Sequence, residues 1–133
     1  MANTDTFEAQ ILNHIFHGTA IASYTPYLAL FSVAPTDSSN GTEVAYPAYA
    51  RIALDTYLPT ATAGSLATNA IITFAQNDGG EQPIRAVGVV THATDVIGQN
   101  GCYIKVYAAT NSATLAVNST PTIQVGALSA TED

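Results

Sequence analysis

The side chains with chemistry to offer are few: three histidines, one cysteine, three basic residues and ten acidic ones in 133 residues. His14 and His17 are three apart, a spacing that brings two imidazoles to one face of a helix and toward a shared metal ion. Two ligands do not make a site, and no neighbouring cysteine or carboxylate completes this one. His92 precedes Asp95, as a general base precedes the carboxylate that orients it. No strained nucleophile turn of the Gly-x-Ser-x-Gly kind accompanies the pair. Asp37, Asn40 and Glu43 offer oxygens suited to calcium, without the spacing of an EF-hand. Asp78 and Glu81 offer less. Asn40-Gly41-Thr42 and Asn118-Ser119-Thr120 match the glycosylation sequon, but no basic and apolar leader opens the chain to route it for secretion. Cys102 sits in an apolar run and reads as a small packed hydrophobe. These residues predict no catalytic centre, no metal site and no cofactor. Tyr24, Tyr27, Tyr46 and Tyr49 cluster around one strand and one long loop, a placement equally suited to an interface and to a sandwich rim.

The elements that carry these groups follow from periodicity. Asp5 and Glu8 have capping-box spacing, with Asp5 as the predicted N-cap. Phe7, Ile11, Leu12, Ile15 and Phe16 recur at helical spacing, and Gly18 is placed to end the helix in a left-handed turn. A helix this short is marginal alone, so its apolar stripe must pack on its own sheet or on a neighbour. From Tyr24 onward short β-branched and aromatic runs alternate with turns. Strands are predicted over Tyr27–Val33, Tyr49–Tyr57, Ala70–Ala75, Ile84–Thr91, Cys102–Ala109 and Pro121–Leu128, with Leu115 and Val117 as a short addition. The first is apolar on both faces and therefore central. In the second, Ile52 and Leu54 face inward while Arg51 and Asp55 face outward; in the fifth, Cys102, Ile104, Val106 and Ala108 share one face, opposite Tyr103, Lys105 and Tyr107; in the last, Ile123 and Val125 face inward. Gly88 marks a bulge or a close backbone approach. Ala34–Ala48 is the longest loop, and the Ala/Thr-rich stretch from Pro59 to Thr68 reads as a flexible crossing. The acidic tail from Ser129 is expected to be exposed. The expected fold is mainly β: an antiparallel β-sandwich or barrel with one N-terminal amphipathic helix. One domain spans residues 1–133, with the helix in 1–18 and the sandwich in 24–128.

Composition narrows the function. Hydrophobic residues make up 47% of the chain and charged residues 10%, against roughly 25% in ordinary soluble domains. The formal charge of -7 argues against nucleic acid and against an anionic membrane surface. A single cysteine forms no internal disulfide and suits a reducing compartment.

Several stretches, in order, carry a resemblance: FEAQILNHIFHGTA, YTPYLALFSVAPTDSSNGTEV, YARIAL, NAIITF and IRAVGVVTHAT. This order resembles a family of small tailed-bacteriophage virion proteins, often labelled tail-fibre or minor structural proteins. The sharpest parts are Leu28–Pro35, Glu43–Val44 and Tyr49–Arg51. The chain departs from the pattern in lacking the Trp-Gly pair ahead of the fourth strand and in a loosely matching C-terminal stretch. The resemblance implies a non-enzymatic structural protein, assembled into the virion in the host cytoplasm as a homo-oligomer in contact with major capsid protein or with tail or baseplate subunits. Small size and the lack of a fibrous repeat favour a capsid decoration (cement) protein over a tail-fibre or baseplate subunit. A carbohydrate-binding β-sandwich is the more remote alternative. The residues expected at an interface are Phe7, Ile11, Ile15 and Phe16 of the helix and Glu43 and Tyr46 of the long loop, the last two standing outside the strands.

Overall fold

The computed structural model describes residues 1–131 and is mainly β, with antiparallel sheets, one helix near the N-terminus and no closed barrel. The elements in chain order are β1 (Ala2–Asn3), α1 (Asp5–His17), β2 (Tyr27–Val33), β3 (Thr42–Glu43), β4 (Ile52–Ala53), β5 (Ser65–Ala67), β6 (Ile72–Thr73), β7 (Gln82–Val90), β8 (Ile104–Leu115), β9 (Thr122–Ile123) and β10 (Ser129–Thr131). Six strands form one antiparallel sheet in the order β1-β8-β7-β2-β3, with β4 also pairing β2. Two ribbons, β5 with β10 and β6 with β9, stand apart from it.

β2 is central, as its two apolar faces require. Leu28 and Leu30 point to one side, Ala29 and Phe31 to the other, and all four are buried. β7 pairs one edge of β2 from Tyr27↔Val90 to Phe31↔Ala86. β4 and β3 share the other edge, at Leu28↔Ile52 and Phe31↔Glu43.

The main core lies on the Leu28/Leu30 face, joined by Val87, Val44, Tyr46, Leu54, Ile72, Phe74, Leu115 and Leu128. A smaller core on the opposite face gathers Ala29, Phe31, Ala86, Val90 and Ile104. Each large apolar side chain buried this way contributes about 1.5–3 kcal/mol relative to exposure. Gly88 sits between Ala29 and Tyr107 in the ladder. A Cβ there would lie 2.9 Å from Phe31 Cε2, so this glycine marks a close approach. The register shifts of β7 fall instead at Ile84/Ala86 and Val89/Val90.

Several expected strands are shorter than their apolar patterns. Of Tyr49–Tyr57 only Ile52–Ala53 pairs, because the chain turns at once: the Tyr57 and Leu58 amides both bond the Leu54 carbonyl. Ala70–Ala75 reduces to β6 and Pro121–Leu128 to β9, each ribbon bond reaching the other across the sequence. Val125 faces solvent at 59% exposure, contrary to the inward placement expected of it. Cys102–Ala109 shifts to Ile104–Leu115 and absorbs Leu115. The supposed flexible crossing contains β5, which pairs β10 through Leu66↔Ala130. Residues 132 and 133, where the tail's charge lies, fall outside the described residues.

The helix spans Asp5–His17, and its N-cap is Thr4 rather than Asp5. Thr4 Oγ1 donates to the Ile104 carbonyl at 2.8 Å, so its hydroxyl serves the sheet and leaves the helix start without a side-chain cap. Gly18 ends the helix at φ 67, as its position predicted. β1 pairs Asn3 with Val106 and Ala2 with Tyr107, which seats the start of the helix against β8.

Candidate functional site

Three features have the chemistry or the exposure to serve a function: a charged node at Arg51, an aromatic cage at Lys105, and the outer side of α1.

Alternation along the expected strand Tyr49–Tyr57 predicted that Arg51 faces outward. Its side chain is instead 6% exposed. The guanidinium grips Glu43 with two parallel bonds, Nε to Oε1 at 2.9 Å and Nη2 to Oε2 at 2.8 Å. Its remaining arm, Nη1, donates to the His92 carbonyl at 2.7 Å and lies 3.6 Å from Cys102 Sγ. The Tyr49 hydroxyl donates to Glu43 Oε1 at 2.7 Å and accepts the Leu30 amide at 3.1 Å. Burial, then the neighbouring Glu43 carboxylate, pushes the Tyr49 phenol well above its ordinary range. Hydrogen bonding to Glu43 raises the Arg51 pKa. Every strong donor and acceptor here is spent on another part of the same chain. The node ties β3, β4 and the loop after β7 together rather than presenting a charge to a substrate.

Glu43 therefore stands in β3 and not outside the strands. Tyr46 likewise belongs to the protomer's core: it is 5% exposed and donates its hydroxyl to the Ala75 carbonyl at 2.8 Å. Its ring meets Tyr49 edge-on at 5.4 Å, and Tyr49 stacks on Phe74 at 6.3 Å. This aromatic row holds the second half of the Ala34–Ala48 loop against the sheet, and the buried Val44 bonds the Leu30 carbonyl.

His92 Nδ1 lies 3.0 Å from Asp95 Oδ2, an exposed pair with side chains 41% and 38% accessible. Among the described residues no hydroxyl or thiol bonds the His92 ring, and Cys102 is fully buried beside Arg51. His14 Nδ1 engages the Thr19 carbonyl at the helix C-terminus. Asp37 and Glu43 do not converge: Asp37 accepts the Tyr107 hydroxyl while Glu43 faces Arg51. Asp78 accepts the Ala48 amide at 2.9 Å. Among the described residues no group of three or more His, Cys, Asp or Glu could hold a metal, and no helix is long and apolar enough to cross a membrane.

Lys105, which alternation sets with Tyr103 and Tyr107 opposite the apolar face of its strand, is 4% exposed. The bulge opposite Val89/Val90 turns it toward α1. There its ammonium donates to Gln10 Oε1 and lies over the rings of Phe7, Tyr24 and Tyr103 at 4.7, 5.1 and 5.4 Å. Such contacts contribute about 0.5–2 kcal/mol each. Phe7 and Ile11 are thereby half-buried on the sheet side of the helix. The rest of the predicted stripe is not: Leu12, Ile15 and Phe16 are 55%, 63% and 73% exposed on the protomer.

The internal roles of Arg51, Tyr49 and Lys105 were not legible in the sequence, nor was that of Asn77, a fully buried amide. Asn77 Nδ2 donates to the Gly80, Leu115 and Ala116 carbonyls, and its Oδ1 accepts the Gly79 amide. The one signal available was scarcity. With three basic residues in the chain, each had reason to be placed for a partner.

No curated protein sequence matches the chain. The profile of one family does, over residues 2–131, in agreement with the tailed-phage resemblance carried by Leu28–Pro35 and Tyr49–Arg51. The chain belongs to the family described as podophage GP4 fiber I protein gp80.

Proposed function

We propose that this protein is a non-enzymatic structural subunit of a phage fibre, attached to a neighbouring virion subunit through the outer side of α1. The family description supports a fibre over the capsid decoration role that small size had favoured. One structural observation carries the attachment. Leu12, Ile15 and Phe16, at i, i+3 and i+4, form a single apolar face that the protomer leaves in water. Scattered exposed apolar residues are ordinary, but three large ones adjoining on a short helix mark a contact surface. The part of the helix that the protomer needs, Phe7 and Gln10, is already engaged at Lys105. The tight internal use of Glu43 and Tyr46 supports the same division: they organise the sheet and leave attachment to the helix.

The test substitutes Ile15→Ser and Phe16→Ser together. Stability of the isolated protein should change by no more than about 0.5 kcal/mol, as at solvent-facing positions. Incorporation into particles, followed by complementing a phage that lacks the gene, should fall sharply. Wild-type incorporation of the double variant would sink the attachment surface. Density for the subunit on the capsid shell, with none on a fibre, would restore the decoration reading.

A further inference from the structure

Lys105 is a cation in an unusual position. Its residue is 4% exposed, it has one side-chain acceptor, Gln10, and it is otherwise faced by three aromatic rings. The chain has ten acidic residues, yet among the described residues the ion pairs within 4.0 Å are Arg51–Glu43 and His92–Asp95, and none involves Lys105. A buried ammonium without a carboxylate retains part of its desolvation cost, which an incoming anion would offset. Burial accordingly lowers its pKa.

Lys105 is also the most buried residue lining a cleft of about 230 Å³, which it shares with Gln10, Ser23, Tyr24, His92 and Tyr103. The wall formed by Ser23 and Tyr24 is adaptable. Residues 20–25 make no backbone hydrogen bonds among the described residues, and Tyr24 is 39% exposed.

We propose that this cleft binds a monosaccharide bearing one carboxylate, a hexuronate, with the carboxylate on Lys105 Nζ and the sugar ring against Tyr24 and Tyr103. A single ammonium matches a single negative charge. A phosphate is better served by several converging donors or a bidentate guanidinium, and the cleft offers neither. The net charge of -7 repels polyanions, which removes nucleic acid and highly charged polymers. Tyrosine rings accept the apolar face of a sugar, while Ser23 and His92 supply donors and acceptors for its hydroxyls. The cleft thus combines two aromatic rings with polar groups from Gln10, Ser23, Thr91 and His92 around one cation. The proposal rests on the cleft alone and stands or falls independently of the fibre attachment.

Calorimetric titration of the full chain with glucuronate, glucose and acetate tests it. Glucuronate should bind at least about tenfold more tightly than either of the others, since each lacks one half of the recognition. Lys105→Gln and Tyr24→Ala should each weaken glucuronate about tenfold or more, with circular dichroism confirming the fold. Because Lys105 also anchors the helix, Tyr24→Ala and the comparison among ligands decide the matter if Lys105→Gln unfolds. Absence of binding up to about 10 mM glucuronate would overturn the proposal. So would glucose binding as tightly as glucuronate, or full affinity in Tyr24→Ala. Acetate binding as tightly as glucuronate would overturn the sugar and leave a bare carboxylate site, such as one filled by a neighbouring subunit's acidic side chain.

Discussion

Arg51 and Glu43, eight residues apart, form a two-bonded ion pair that stands behind the sheet edge with side chains 6% and 21% exposed. Glu43→Gln would leave the guanidinium without its charge partner in a place water barely reaches. The expected cost is about 2 kcal/mol, below that of a fully buried pair because Glu43 retains some solvent. Arg51→Met should cost a similar amount, and the double variant less than the sum of the two. Urea unfolding of the four proteins measures the coupling; simple additivity would show that the pair is not a unit.

Tyr46 tests the internal role of the long loop. Tyr46→Phe keeps the ring in the core and removes only the hydroxyl that bonds the Ala75 carbonyl. The loss should be about 1–2 kcal/mol, read as a lower denaturation midpoint at constant slope. A neutral outcome would mean that water replaces the hydroxyl at this position.

Gly88→Ala places a methyl 2.9 Å from Phe31 Cε2 and 3.4 Å from the Val106 carbonyl. Phe31 is fully buried and has no room to retreat. Overpacking should destabilise the protein by about 1–3 kcal/mol despite the lower entropy of the unfolded alanine chain. A gain in stability would place the ring of Phe31 elsewhere in solution.

The pH dependence of stability should carry a Lys105 signature. Burial lowers its pKa below the ordinary 10.5, so between the folded and unfolded values the unfolded chain binds more protons. Its contribution is then fully favourable above 10.5 and is lost as pH falls through the folded pKa. Tyr24, Tyr46 and Tyr49 work in the opposite sense, with pKa values raised above 10.0, so their contribution declines only as pH climbs past that value. Between the lowered folded value and pH 10 the Lys105 contribution should therefore raise stability with rising pH, and Lys105→Met should flatten that slope. Equal slopes in the two proteins would show that the ammonium is solvated in the folded state.

Local pattern alone determined the mainly β class, the central strand Tyr27–Val33, the helix ending at Gly18 and the burial of Cys102. Each of these depends on periodicity or on a residue's own backbone preference, which neighbours in sequence suffice to express. Pairing decided the rest. Residues 49–57, 70–75 and 121–128 have apolar content enough for long strands, but their partners meet them for only two residues each, and strand length is set by the partner as much as by the run. Arg51 reads outward by alternation because alternation is blind to a carboxylate arriving from β3. Lys105 reads outward until a bulge, visible only in the ladder, rotates it under Phe7 and Tyr24. The helical stripe was legible as apolar; that Phe7 and Ile11 are covered while Leu12, Ile15 and Phe16 remain in water follows from where β1 sets the helix against β8, a register that no spacing within the helix encodes.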